Sequence, residues 1–97
     1  MIKSFKDPKF QEIFDGRKPK GFQPGIIKKA RRAMLQLDAS TVMDDMKVPP
    51  GNKLHPLTGD REGQHAVWIN DQYRLVFKWN EGNPTEIEII DYHDEKQ

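Results

Sequence analysis

The stretch Gln64-His65-Ala66-Val67-Trp68-Ile69-Asn70-Asp71-Gln72-Tyr73-Arg74-Leu75-Val76-Phe77-Lys78-Trp79 decides the fold. Apolar and polar residues alternate on either side of Asn70-Asp71, and a period of two is the mark of β-strands joined by a tight connection. In the second strand Tyr73, Leu75, Phe77 and Trp79 share a side, so Arg74 points the other way. In the first, Val67 and Ile69 lie on one face and Ala66 and Trp68 on the other, so both faces are partly covered. His65 shares the side of Val67 and Ile69 and reads as partly buried structure.

Moving toward the C-terminus, Glu81-Gly82-Asn83-Pro84 turns the chain into a further strand over 85–92, where Ile87 and Ile89 oppose Glu86 and Glu88. Moving toward the N-terminus, residues 58–63 form a turn and residues 53–57 a short strand carrying His55. Pro56 has no N–H to donate, which places that strand at an edge. Val48-Pro49-Pro50-Gly51-Asn52 breaks the chain, and helical spacing lies before it. Ile26, Ile27, Ala30, Ala33, Met34 and Leu37 form one apolar face of the long helix. Ser40 or Thr41 caps a further short turn through Met46. Phe10, Ile13 and Phe14 make a two-turn helix over 8–15, with Asp7 as N-cap, Pro8 in the first turn and Gly16 as the stop. Residues 2–6 alternate as a first strand. The sum is an α+β fold, an N-terminal strand and a helical hairpin packed on one face of a small, mostly antiparallel sheet. The other sheet face is left open for chemistry or binding.

A chain of 97 residues has room for one domain, spanning 1–97, that buries roughly 65% of its unfolded surface. It contains no cysteine, so neither a disulfide nor a thiolate metal site staples it. No segment approaches the ~20 apolar residues of a membrane span. The expectation is a soluble cytoplasmic protein. Net charge is only +1, yet Arg17, Lys18, Lys20, Lys28, Lys29, Arg31 and Arg32 follow one another without a carboxylate, whereas the acidic residues gather at the C-terminal end. Such sorting suits a phosphate-bearing partner, and a solvated helix face accounts for it equally well.

The open face gathers His55, Arg74, Asp91, Tyr92 and His93, with Arg61 beside them. Cleavage of RNA by its own 2′-hydroxyl needs a base, an acid and a cation for the phosphorane. Histidine suits both proton roles and arginine the third. No metal or other cofactor is required, and no metal-ligand spacing is present. The structural reading of the same residues is an edge histidine before a proline and a strand that simply ends at Asp91-Tyr92-His93.

Pro49-Pro50-Gly51-Asn52-Lys53-Leu54, Leu57-Thr58-Gly59-Asp60-Arg61-Glu62-Gly63, Ile69-Asn70-Asp71-Gln72-Tyr73-Arg74 and Glu88-Ile89-Ile90-Asp91-Tyr92-His93, taken together and in order, resemble the HigB toxins of the RelE/ParE superfamily. The resemblance covers essentially the whole chain, including Ile2-Lys3-Ser4-Phe5. It implies a RelE-like fold, ribosome-dependent mRNA cleavage that inhibits translation, and a HigA-type helix-turn-helix antitoxin as partner. The family's functional positions fall on His55, Arg74, Asp91, Tyr92 and His93. Some members carry lysine where this chain has Thr58, and other relatives lack the histidine at position 55, so that residue is as plausibly tuning as essential. Lys28, Lys29, Arg31 and Arg32, with Arg61, are the expected contacts to RNA or the ribosome, and the antitoxin competes for part of that region. The Asp94-Glu95-Lys96-Gln97 tail is assigned no role. Two other functions remain open, a gyrase inhibitor of the ParE type and a non-catalytic ribosome- or RNA-binding module.

Overall fold

The computed structural model describes residues 1–92. Its elements are α1 (Pro8–Phe14), α2 (Pro24–Ala39), 3-10 turns at Met43–Lys47 and Pro50–Asn52, β1 (His55–Pro56), a third turn at Gly59–Arg61, then β2 (Gln64–Trp68), β3 (Tyr73–Asn80) and β4 (Asn83–Asp91). The Asp7 carboxylate accepts from the Lys9 amide at 2.9 Å, capping α1 as its position before Pro8 demands. Gly16, at φ +91°, carries the chain out of that helix. The four strands lie in sequence order and every neighbouring pair is antiparallel.

One face of the sheet takes the helices. Ile26, Ile27, Ala30, Met34 and Leu37 of α2 and Phe10 and Ile13 of α1 pack with Val67, Ile69, Leu75, Phe77, Ile87 and Ile89. The helix period of α2 and the strand period of two thus converge on one core. A smaller buried cluster of Leu57, Ala66, Val76 and Ile90 lies on the opposite face. His65 belongs to the helix side, stacked on Phe77 with ring centroids 6.3 Å apart.

Residues 2–6 do not form the expected strand. They run parallel to β4 with a single bridge, Phe5 to Ile87, although Lys3 N–H bonds the Pro84 carbonyl, Ile87 N–H the Ser4 carbonyl and Lys6 N–H the Ile87 carbonyl. The reason lies in β4. Its register against β3 shifts between Val76 and Lys78, and Glu86 takes a left-handed φ of 52°. An extra residue in a strand turns peptide groups out of the ladder. Accordingly the Glu86 amide donates to the Ser4 hydroxyl instead of a main-chain carbonyl.

Candidate active site on the open sheet face

Strand pairing sorts the expected residues by face. His55 lies opposite Ala66, and Ala66 opposite Val76, so the imidazole is on the open side. One step along the same face, Trp68 lies opposite Arg74 and Arg74 opposite Ile90. Two strand spacings and two residues separate His55 from Arg74, on the order of 12 Å between Cα atoms. Long side chains span much of that gap.

The histidine is oriented by its own loop. Lys53 closes the 3-10 turn in the left-handed region, at φ 49°, and its carbonyl sits 2.9 Å from His55 Nδ1. A carbonyl oxygen only accepts, so Nδ1 carries a proton, and in the neutral form of the ring the lone pair is at Nε2. Arg74 is held in turn by the preceding hairpin. Its Nη1 donates to the carbonyls of Asn70 at 2.6 Å and Tyr73 at 3.1 Å. Asn70 also folds the turn itself, its Oδ1 accepting from the amides of Gln72 and Tyr73 at 2.9 and 2.7 Å. The Asn70-Asp71-Gln72-Tyr73-Arg74 sequence is therefore a device for aiming a guanidinium. That guanidinium lies over the Tyr92 ring, its central carbon 4.2 Å from the centroid.

Asp91 departs from the sequence expectation. It pairs with Tyr73, on the side of Leu75 and Ile89, so alternation separates it from Arg74 and Tyr92. Its carboxylate accepts from Gln72 Nε2 at 2.9 Å, while the Tyr92 amide donates to the Gln72 carbonyl at 2.6 Å. Gln72 thereby ties the end of β4 to the hairpin. His93 lies outside the described residues. Arg61, expected as an RNA contact, is engaged within the protein. Its Nη1 pairs with Glu88 at 2.7 Å and donates to Gln64 Oε1 at 3.2 Å, with both charged side chains mostly buried. The arginine braces the 58–63 loop across the sheet, and its charge is met from inside the protein.

The basic helix faces elsewhere. Lys28, Lys29 and Arg32 are exposed, whereas Arg31 is half-buried and donates from Nε to the Phe14 carbonyl at 3.2 Å, clamping α2 to α1. With Arg17, Lys18 and the exposed Leu35, residues 28, 31 and 32 line a groove of about 670 Å³ beside the α1–α2 connection. Because α2 covers the helix side of the sheet, this cationic surface is separated from His55 and Arg74 by the thickness of the core. His65 is depressed below its ordinary pKa, first by burial and second by the charge of His55.

Two residues near the site were not singled out from the sequence. Trp68 stands beside Arg74, and Lys53 Nζ lies 5.3 Å from its ring centroid. The alternation that aimed Arg74 at the open face aims Trp68 there too. Among the described residues no helix is long and apolar enough to cross a membrane.

The sequence matches the family described as the RelE-like toxin of the type II toxin–antitoxin system HigB over residues 3–93. The chain belongs to the HigB-like toxins. Toxin HigB-1 of Vibrio cholerae is 34% identical over 83 residues, which cover 84% of this chain and 87% of the relative. Endoribonuclease HigB of Proteus vulgaris is 28% identical over 93 residues, covering 96% of this chain and all of that one. Among solved structures, YafQ from E. coli superposes with a TM-score of 0.66 at 15% identity, covering 100% of this chain and 98% of its own. The YoeB–YefM complex from Staphylococcus aureus gives 0.58 at 14% identity, over 91% and 95% of the two chains. These structures bear on the fold alone, which they share with this HigB-like toxin. As the toxin of a type II module, the protein has an antitoxin as its partner.

Proposed function

We propose that this toxin is an endoribonuclease that cuts mRNA on the ribosome by 2′-hydroxyl attack and so inhibits translation. The observation that carries the reading is Arg74, fixed by two carbonyls and backed by Tyr92 on an open sheet face that also holds His55. The endoribonuclease name of the Proteus vulgaris relative supports it.

In the proposed reaction His55 Nε2 takes the proton of the 2′-hydroxyl. The freed oxygen attacks the adjacent phosphorus, and the bond to the 5′-oxygen breaks. The leaving oxygen takes its proton from a general acid, a role assigned to His93. The products are a 2′,3′-cyclic phosphate and a 5′-hydroxyl. Arg74 meets the charge on the phosphorane, and a guanidinium suits this because it pairs with two phosphate oxygens and stays charged throughout. Tyr92 keeps the guanidinium in place from one side. Asp91 acts through Gln72, as a positioning residue for the strand end that carries Tyr92. Lys28, Lys29 and Arg32 dock on ribosomal RNA, the shaped polyanion that a free mRNA does not offer. The antitoxin is of the HigA type, with a helix-turn-helix domain, and the site of action is the cytoplasm.

Primer extension across mRNAs in a translating extract tests the reading. Wild-type toxin is expected to produce discrete cuts, and Arg74→Ala to reduce them by about 10²–10³, the usual cost of losing one preorganised contact to developing charge. Equal cutting by both proteins would overturn the assignment. Intact mRNA accompanied by DNA damage would move the protein to the gyrase-inhibiting branch.

A further inference from the structure

Beyond the groups assigned to the reaction, the open face carries an aromatic residue that neither the proton transfers nor the core requires. The buried cluster on this face consists of Leu57, Ala66, Val76 and Ile90. Trp68 lies outside it, half-buried, with a lysine ammonium over its ring. It is placed directly opposite Arg74. The same Lys53 whose ammonium lies 5.3 Å from the indole centroid supplies the carbonyl that orients His55. Cation and aromatic thus alternate along one end of the sheet, in the order Lys53, Trp68, Arg74, Tyr92.

We propose that Trp68 and Lys53 form a nucleobase subsite beside the scissile phosphate, the indole stacking an unpaired base of the RNA and the ammonium meeting a neighbouring phosphate. This rests on reading the open face as an RNA-cleaving site. The chemistry is that of single-stranded nucleic-acid binding, in which every base offers a π-face to an aromatic ring and cations track the backbone. Stacking is indifferent to the identity of the base, so the subsite adds grip and register. It places the backbone so that the phosphate next to the stacked base falls under Arg74. Trp68 is accordingly a binding residue, and its loss leaves the proton-transfer groups intact.

The test uses the full-length toxin carrying Trp79→Phe, which removes the indole packed against the core and leaves Trp68 as the sole tryptophan. A 2′-O-methyl hexaribonucleotide, which cannot be cut, is expected to quench its fluorescence on binding; binding without quenching would overturn the proposal. A second set of hexamers lacks one base at a time. At the stacked position, base removal is expected to weaken binding to the parent protein about tenfold and to leave binding to Trp68→Leu almost unchanged. Equal weakening in both proteins at every position would overturn it. Lys53→Gln, on an exposed loop, is expected to keep the fold and to lower the salt dependence of binding by about one phosphate contact; an unaltered dependence would remove Lys53 from the subsite. In the translating extract, Trp68→Leu is expected to cut at the wild-type positions with about tenfold more toxin. A wild type that stacks the hexamer yet cuts no mRNA would sink the endonuclease reading and leave the subsite standing.

Discussion

Charge is handled differently on the two faces of the sheet, by the Arg61–Glu88 pair on the open side and by His65 on the helix side. Arg61 and Glu88 are 14% and 13% exposed and 2.7 Å apart. Removing one member of such a pair strands the other, so Arg61→Met is expected to lower unfolding free energy by about 3 kcal/mol in urea titrations. The figure is at the low end because Lys6 Nζ also reaches Glu88, at 3.4 Å. On the helix side, His65 makes stability depend on pH. Its folded-state pKa lies below the ordinary value of 6.5, so the unfolded chain takes up the proton first as pH falls. Stability from the neutral ring is therefore complete above about pH 6.5 and declines below it. Thermal melts at pH 7.5 and 5.5 are expected to differ less for His65→Gln than for wild type.

At the scale of elements, the β2–β3 hairpin does the aiming. Asn70 Oδ1 accepts from two amides of the turn, and the Asn70 carbonyl holds Arg74. Asn70→Ala keeps that carbonyl but frees the turn around it. Displacement of a catalytic group by about 1 Å costs about 10²-fold in rate, so cleavage is expected to fall toward that level while circular dichroism stays native. Much of this element was legible beforehand: the period of two gave the strands, and parity alone turned Arg74 outward. The ends of the strands were less so. Asp91 groups with Tyr92 in the sequence reading, although neighbours in a strand oppose one another, because both stand beside a histidine at the end of one alternating run. The bulge at Glu86 left no mark in the pattern. Its left-handed conformation accompanies the register shift against β3, and the partner of its amide, Ser4, is 82 residues away.

The whole molecule separates two surfaces. The 16 cations and 15 carboxylates nearly cancel, yet Lys28, Lys29 and Arg32 stand exposed on a helix whose opposite side is core. A charge-reversed variant at these three positions is expected to lose ribosome co-sedimentation while still binding the uncuttable hexamer. Unaltered sedimentation would return the helix to the role of a solvated surface. The sequence showed the cations but not their distance from the histidine, since only the packing of α2 on the sheet puts the core between them. The pairing of Arg61 is hidden from the sequence for a related reason. Its partner Glu88 is 27 residues away, and nothing local in the chain announces the pairing.

The irregular run of residues 2–6 along β4 has one more effect. A row of unpaired peptide groups at a sheet border is a template on which another chain can add a strand. Here β1 is two residues long and ends in a proline, and on the far border β4 is lined from Pro84 to Ile87 by the N-terminal segment. Neither described border offers a long free row, so self-association by strand addition is disfavoured at both. What reads locally as a failed strand acts as a selvedge, finishing the cloth so that it does not fray into fibres.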